Sequence, residues 1–218
     1  MTPLVLIEGI RDPGSGVRGP GSGIRVLDPG SPIPDPGFDP GSPIPDPESI
    51  AIRTADAPEA AAIHGLIVEH LAEGHLLPRE LGEIVVHAQR FIVAVQGQEG
   101  CEDVLACAEL APLSRSVAEV RSMVVSREAR SLGVGRRIVD ELVRRAAVAG
   151  FDKLCAFTHS PGYFVHLGFS IVPHVWLPEK IVTDCHACRH FRHCGQYAVV
   201  RSLERARHSC VPLAALHG

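Results

Sequence analysis

The chain has 218 residues, 45% of them hydrophobic and only 5% aromatic, with a formal net charge of −4 at pH 7. That is enough for one complete domain with extensions, and so small and mixed a charge implies neither a nucleic-acid nor a membrane-surface field. No apolar run reaches the length of a membrane span. The start MTPLVLIEGIRD lacks the basic segment and long apolar core of an export signal, and seven cysteines without such a signal point to reduced thiols and a cytoplasmic protein.

Residues 1–49 differ from all that follows. They hold eleven of the 18 prolines, and Asp28–Pro36 (DPGSPIPDP) recurs unchanged at Asp39–Pro47. Proline removes backbone donors and glycine raises the entropy of ordering, with few large apolar side chains to offset either. A disordered or polyproline-like tail is expected, either a passive extension or a docking segment. The folded part, 50–177, is expected to open with the strand Ile50-Ala51-Ile52-Arg53. Asp56 with Glu59 gives a capping-box start to a helix carrying Ile63, Leu66, Ile67 and Leu71 on one face and ending at Gly74. Pro78 then begins a second helix, Arg79 to His87. Phe91–Val95 reads as a buried strand, Gln96–Asp103 as a turn and Val104–Leu110 as its partner. A loop, Leu113–Val117, leads into the β-branched strand Ala118–Val125. A helix from Val134, a strand at Lys153–Thr158, a helix at Pro161–Leu167 and a strand at Phe169–Val175 complete the domain. Residues 178–218 form an arm with a C-x2-C-x5-C pattern, a last strand near Gln196–Leu203 and a loose end.

Between the Ala118–Val125 strand and its helix lies Arg130-Ser131-Leu132-Gly133-Val134-Gly135, an R-x-x-G-x-G pattern. Free N–H groups at a helix N-terminus and the helix dipole favour an anion there. Glycines let the backbone approach a phosphate, and Arg130 and Arg136 add full charges. Neither a Gly-Lys-Ser/Thr ending nor a third glycine at dinucleotide spacing is present. Taken alone, two glycines at a helix start are equally compatible with plain turn chemistry.

In context, a strand ending Met-Val-Val, then R-x-x-G-x-G, then His166-Leu167-Gly168-Phe169 resembles the GNAT acetyltransferases. The resemblance implies an α/β fold with a splayed mixed sheet and helices on both faces. It implies acetyl-CoA as cosubstrate, its pyrophosphate on Arg130, Ser131, Gly133, Val134, Gly135 and Arg136, and its pantetheine arm on Met123, Val124 and Val125. Leu76-Leu77-Pro78-Arg79, Ala118-Glu119-Val120-Arg121-Ser122 and Leu177-Pro178-Glu179-Lys180-Ile181-Val182-Thr183-Asp184-Cys185-His186-Ala187-Cys188 further resemble the short bacterial N-acetylglutamate synthases, enzymes that begin arginine biosynthesis. Arg189–Cys194 departs from the cysteine- and proline-rich pattern of those relatives.

Acetyl transfer needs an amine stripped of its proton, a donor for the thioester oxygen and two reactants held together. A backbone N–H on the Met123–Val125 strand can serve the oxygen. Glu119 is the expected base, with Glu109 in reserve; the alternative for Glu119 is an ion pair with Arg121 or Arg115. Where the family often carries a tyrosine acid this chain has Phe164, and Tyr163 is expected to pack. The two carboxylates of glutamate call for forked guanidinium groups, so Arg79 and Arg121 are the substrate candidates, with Ser122 as a hydrogen-bond donor and Lys180 and Arg115 in reserve. Arg121 could also merely snorkel past the sheet. Another amino acid, a polyamine or a protein terminus remains open as acceptor, and a homodimer is compatible with the sequence. Cys185, Cys188 and Cys194, with His186, His190 and His193, could make a Cys3His zinc site. Their spacing fits no two-knuckle finger, and small buried thiols are favoured over a metal. A zinc-organised interaction module is the rival from outside the enzymes. Cys155 is expected to be structural.

Overall fold

The computed structural model describes residues 46–74, 76–98, 101–188 and 190–204. The expected tail, 1–49, lies outside them except for 46–49, where Asp46 caps a 3-10 turn at Pro47–Ser49. The expected loose end lies outside them from residue 205.

The elements in order are β1 (Ala51–Thr54), α1 (Ala60–His70), α2 (Leu81–Val86), β2 (Phe91–Gln98), β3 (Cys101–Pro112), β4 (Val117–Val125), α3 (Val134–Val148), β5 (Lys153–Thr158), α4 (Pro161–His166), β6 (Ser170–Val172), α5 (Pro178–Thr183) and β7 (Tyr197–Ser202). They form one mixed sheet of order β1-β2-β3-β4-β5-β7-β6, in which only β4 and β5 run parallel. Phe91–Val95 is buried throughout because both faces of β2 are covered. Ile92 and Ala94 face a core with Ile138, Val139 and Leu142 of α3. Phe91, Val93 and Val95 face another with Ile63, Leu66 and Ile67 of α1.

Three boundaries differ from the sequence reading. Pro78, Arg79 and Glu80 stay outside α2, because the Arg79 guanidinium reaches across to Glu109 and Ser122. The β2–β3 hairpin is longer than expected, with Gln98 still paired to Cys101. The strand after α4 stops at Val172, since Pro173 leads into a 3-10 turn, and β7 inserts between it and β5.

Two irregularities place the cleft. Pairing of β4 with β5 ends at Val120–Ala156, so beyond that point the two strands have no ladder between them. On the other edge of β4, Cys107 pairs with Val124 and Glu109 with Arg121, which sets Ser122 and Met123 against Ala108 alone. This is a β-bulge, and Ser122 takes φ +48°, a conformation rare outside glycine. Strain of this kind concentrates where backbone must present groups to a ligand.

Candidate active site

The opening between β4 and β5 holds a cavity of about 660 Å³. One wall is β4 from Glu119 to Val125 and the other is Ala156–Ser160 with Tyr163. His70, Glu73, residues 76–79, Glu83 and the arm residues Lys180 and Asp184 close it. The expected cosubstrate residues Met123, Val124 and Val125 line it, as do Glu119 and the acceptor candidates Arg79, Arg121, Ser122 and Lys180.

At the far end of β4 the chain turns through Ser131, at φ +67°, and Gly133, at φ +74°, before α3 begins. A left-handed conformation costs an L-residue about 1–2 kcal/mol, so glycine suits position 133. Gly133 is the N-cap and offers no side chain to the helix end. Among the described residues no protein acceptor takes the amide hydrogens of Gly133, Val134, Gly135 or Arg136. A Cβ at Gly135 would stand 2.7 Å from the Tyr163 hydroxyl and 3.2 Å from Met123 Cε, so this turn abuts side chains that line the cavity. Open amides, a bare N-cap and a turn seated against the cleft fit a diphosphate. Arg130 lines the cavity, with its guanidinium held by Glu73 at 2.7 and 2.9 Å and reaching the Val125 carbonyl at 3.4 Å. Arg130 therefore anchors the loop to the end of α1, while Arg136 stays solvent-facing with Asp140 at 3.7 Å.

The near end of β4 is a buried charge network. Glu119, 3% exposed, accepts from Lys180 Nζ at 2.7 and 2.8 Å and from Arg121 Nε at 2.5 Å. Asp184, one turn after Lys180 on the arm, pairs with Lys180 at 2.8 Å and with the other end of the Arg121 fork. Burial works against the charge on Arg121, but Glu119 and Asp184 hold its pKa above the ordinary guanidinium value. Beside this, Arg79 binds buried Glu109 at 2.9 Å, Ser122 Oγ at 3.0 Å and Glu83 through two bonds. The ion-pair alternative for Glu119 is realised with Arg121 and not with Arg115, while the glutamate still lines the cavity. Arg121 does more than pass the sheet edge. Asp184 and Glu83 were missed in the sequence; their positions four residues after Lys180 and Arg79, at ion-pair spacing, were the available signal.

Tyr163 also differs from expectation. It lines the cavity, as does part of Phe164, whose ring also packs in the core edge-on to Phe169. Burial, helped by Asp140, pushes the Tyr163 pKa up to about 12, so its hydroxyl keeps a proton at neutral pH. Cys155 is fully buried and does not line the cavity; burial first, and Glu119 next, push its thiol far above the usual range. That is the structural thiol expected. Cys185, Cys188 and Cys194 are free thiols, and among the described residues no group of three or more metal-ligand side chains is arranged to hold an ion. Among those residues no helix is long and apolar enough to cross a membrane.

Residues 67–169 match the model of the acetyltransferase (GNAT) family. An uncharacterized N-acetyltransferase of Chlorobaculum tepidum is 29% identical over 153 residues, covering 70% of this chain and 96% of the relative. Among solved structures, the N-acetylglutamate synthase of Neisseria gonorrhoeae, complexed with coenzyme A and N-acetyl-glutamate, superposes with a TM-score of 0.63 at 24% identity. The match covers 72% of this chain and 35% of the synthase, so it spans about a third of that protein's length. A Mycobacterium tuberculosis protein, Rv2747, in complex with CoA gives 0.60 at 21% identity, over 71% of this chain and 99% of that one.

Proposed function

We propose that the chain is an acetyl-CoA-dependent N-acetyltransferase of the GNAT type, in keeping with the family match over residues 67–169 and the N-acetyltransferase relative, and that its acceptor is an acidic amino acid, glutamate, acetylated on the α-amino group. The observation that carries this reading is the gathering of Arg79, Arg121, Lys180 and Ser122 around one cleft. Two of these cations already grip carboxylates that are more exposed than themselves. Glu83 lies on Arg79 with 44% exposure against 11%, and Asp184 on Arg121 with 35% against 24%. These are the places where the two carboxylates of the substrate would sit after displacing Glu83 and Asp184. The fold likeness to a synthase crystallised with N-acetyl-glutamate agrees with this assignment.

When bound, the cosubstrate supplies the activated acetyl group. The chain's share of the chemistry is placement and proton handling. The bulge at Ser122 breaks the β3–β4 register beside Met123, which lines the cleft, and a backbone N–H there is the donor assigned to the oxygen on which charge builds. Glu119, or Glu109 behind Arg79, accepts the ammonium proton directly or through water. Tyr163 Oη holds a proton that it can give into the cleft as the thiol departs. The R-x-x-G-x-G turn grips the diphosphate through the amides from Gly133 to Arg136.

A second reading has its own support. Glu83, Glu109, Glu119 and Asp184 are four carboxylates against the three cations Arg79, Arg121 and Lys180, so the site carries net negative charge and would also suit a cationic amine. A steady-state screen of glutamate, glutamine, aspartate, lysine and spermidine, following released thiol, separates the two. Turnover confined to glutamate and its close relatives is expected; turnover of spermidine with none of any amino acid overturns the assignment.

A further inference from the structure

Near the anion-loop end of the cleft, α1 delivers one buried polar group for which neither fold nor charge network gives a use. His70, the last residue of α1, is 1% exposed and lines the cavity. Its Nδ1 lies 2.9 Å from the Leu66 carbonyl oxygen. A carbonyl can only accept, so Nδ1 carries the hydrogen, and in the neutral ring the lone pair is on Nε2. Nε2 is buried and has no hydrogen-bond partner among the described residues; the nearest acidic oxygen among them, Glu73 Oε1, is 3.9 Å away and is itself held by Arg130. A buried acceptor left unmatched is rare in folded proteins and calls for a ligand or an ordered water.

Its place in the cleft selects the ligand. Glu73, one turn beyond His70, clamps Arg130, and Arg130 bonds the Val125 carbonyl, so His70 belongs to the end of β4 that runs into the R-x-x-G-x-G turn. The acceptor-site network runs along β4 from Glu119 to Ser122, six to three residues back from Val125, roughly 10–20 Å along the strand. The pantetheine arm of coenzyme A offers two amide N–H groups and one hydroxyl, and an amino acid seated at Arg121 and Lys180 would not reach this far. Resting on the acetyl-CoA reading, we propose that His70 Nε2 is a binding group for the cosubstrate, accepting a hydrogen bond from a donor on the pantetheine arm.

Long-range nitrogen correlation spectra of the full chain labelled in its histidines test this directly, with His70→Phe identifying the resonance. In wild type, Nε2 of His70 is expected to give the signal of an unprotonated acceptor and to shift on saturation with coenzyme A, while glutamate alone leaves it in place. In calorimetry, His70→Phe is expected to bind coenzyme A about tenfold more weakly, one buried hydrogen bond lost, yet to bind adenosine 3′,5′-bisphosphate, which lacks the arm, as wild type does. An Nε2 signal unmoved by bound coenzyme A, or moved by glutamate instead, overturns the assignment. So does equal weakening toward coenzyme A and the bisphosphate. Wild type failing to bind coenzyme A at all would instead strike the acetyl-CoA reading. The spectra need no variant to bind ligand, so they decide the matter even if His70→Phe packs poorly.

Discussion

Asp184 offers the sharpest test of the acceptor site, because the proposal makes it a competitor of the substrate. In the free protein its carboxylate is shared by Arg121 and Lys180. A substrate carboxylate must displace it, so part of the binding energy goes into breaking these contacts. Asp184 is about a third exposed and its partners less so. Exposed pairs contribute about 0.2–1 kcal/mol, and a two-partner arrangement around a half-buried fork belongs at the top of that range. Asp184→Asn keeps the shape and removes the charge. Removing about 1 kcal/mol of competition should lower KM for glutamate about fivefold, with kcat nearly unchanged. The same loss should lower Tm of the free protein by about 2–4 °C, since the arm is held partly by this carboxylate. Steady-state kinetics and a thermal melt read both. A KM that rises tenfold would refute the reasoning, because it would mean that Asp184 stays in place and holds the substrate's ammonium group.

Three further outcomes are expected. Gly133→Glu should abolish coenzyme A binding in calorimetry, because a β-carbon is forced into φ +74° and a carboxylate is set at the open amides; unchanged affinity would show that the turn is not the anion site. Tyr163→Phe should cut kcat with little change in KM, and wild-type kcat should show no loss from tyrosine ionisation below about pH 10, since the raised pKa of about 12 keeps the hydroxyl protonated; an alkaline fall that Tyr163→Phe abolishes would contradict this. Glu141 is held by Arg144 and Arg145, which bring its pKa from 4.5 to about 2 despite partial burial. Its contribution to stability is thus present above pH 4.5 and lost as pH falls toward 2, so Glu141→Gln should flatten that limb of the acid-unfolding curve.

The sheet was legible because its signals are local. Phe91–Val95, Ala118–Val125 and Lys153–Thr158 announce themselves by β-branched and apolar runs, and the Asp56–Glu59 capping box forms as read. The boundaries that slipped did so where a distant partner overruled local preference. Proline and glutamate at 78 and 80 favour a helix start, yet Arg79 is drawn away by Glu109 and Ser122, which lie thirty and more positions along the chain. The bulge could not be read either. Nothing in the string Arg121-Ser122-Met123 marks one extra residue, because a register shift belongs to the pair of strands and not to one of them.

The site divides along the same line. Glycines at 133 and 135 carry their purpose in their own chemistry, one by its positive φ and the other by the space taken by Tyr163 and Met123. Charged residues do not, because the meaning of an arginine depends on which carboxylate finds it first. Arg130, read as a phosphate ligand, lines the cleft with its guanidinium also braced by Glu73. Arg79 and Arg121 read as substrate forks, Arg121 with an ion pair to Glu119 as the alternative, and both already hold carboxylates, Glu83 on one and Asp184 on the other. A cleft whose cations are all paired internally cannot attract an anion by bare field; it selects for a ligand that can replace both carboxylates at once. On the proposed reading, a single carboxylate would break one pair and leave the other closed, whereas glutamate would exchange like for like at two points. That is why chain length between the carboxylates, more than net charge, should govern which amino acid is acetylated.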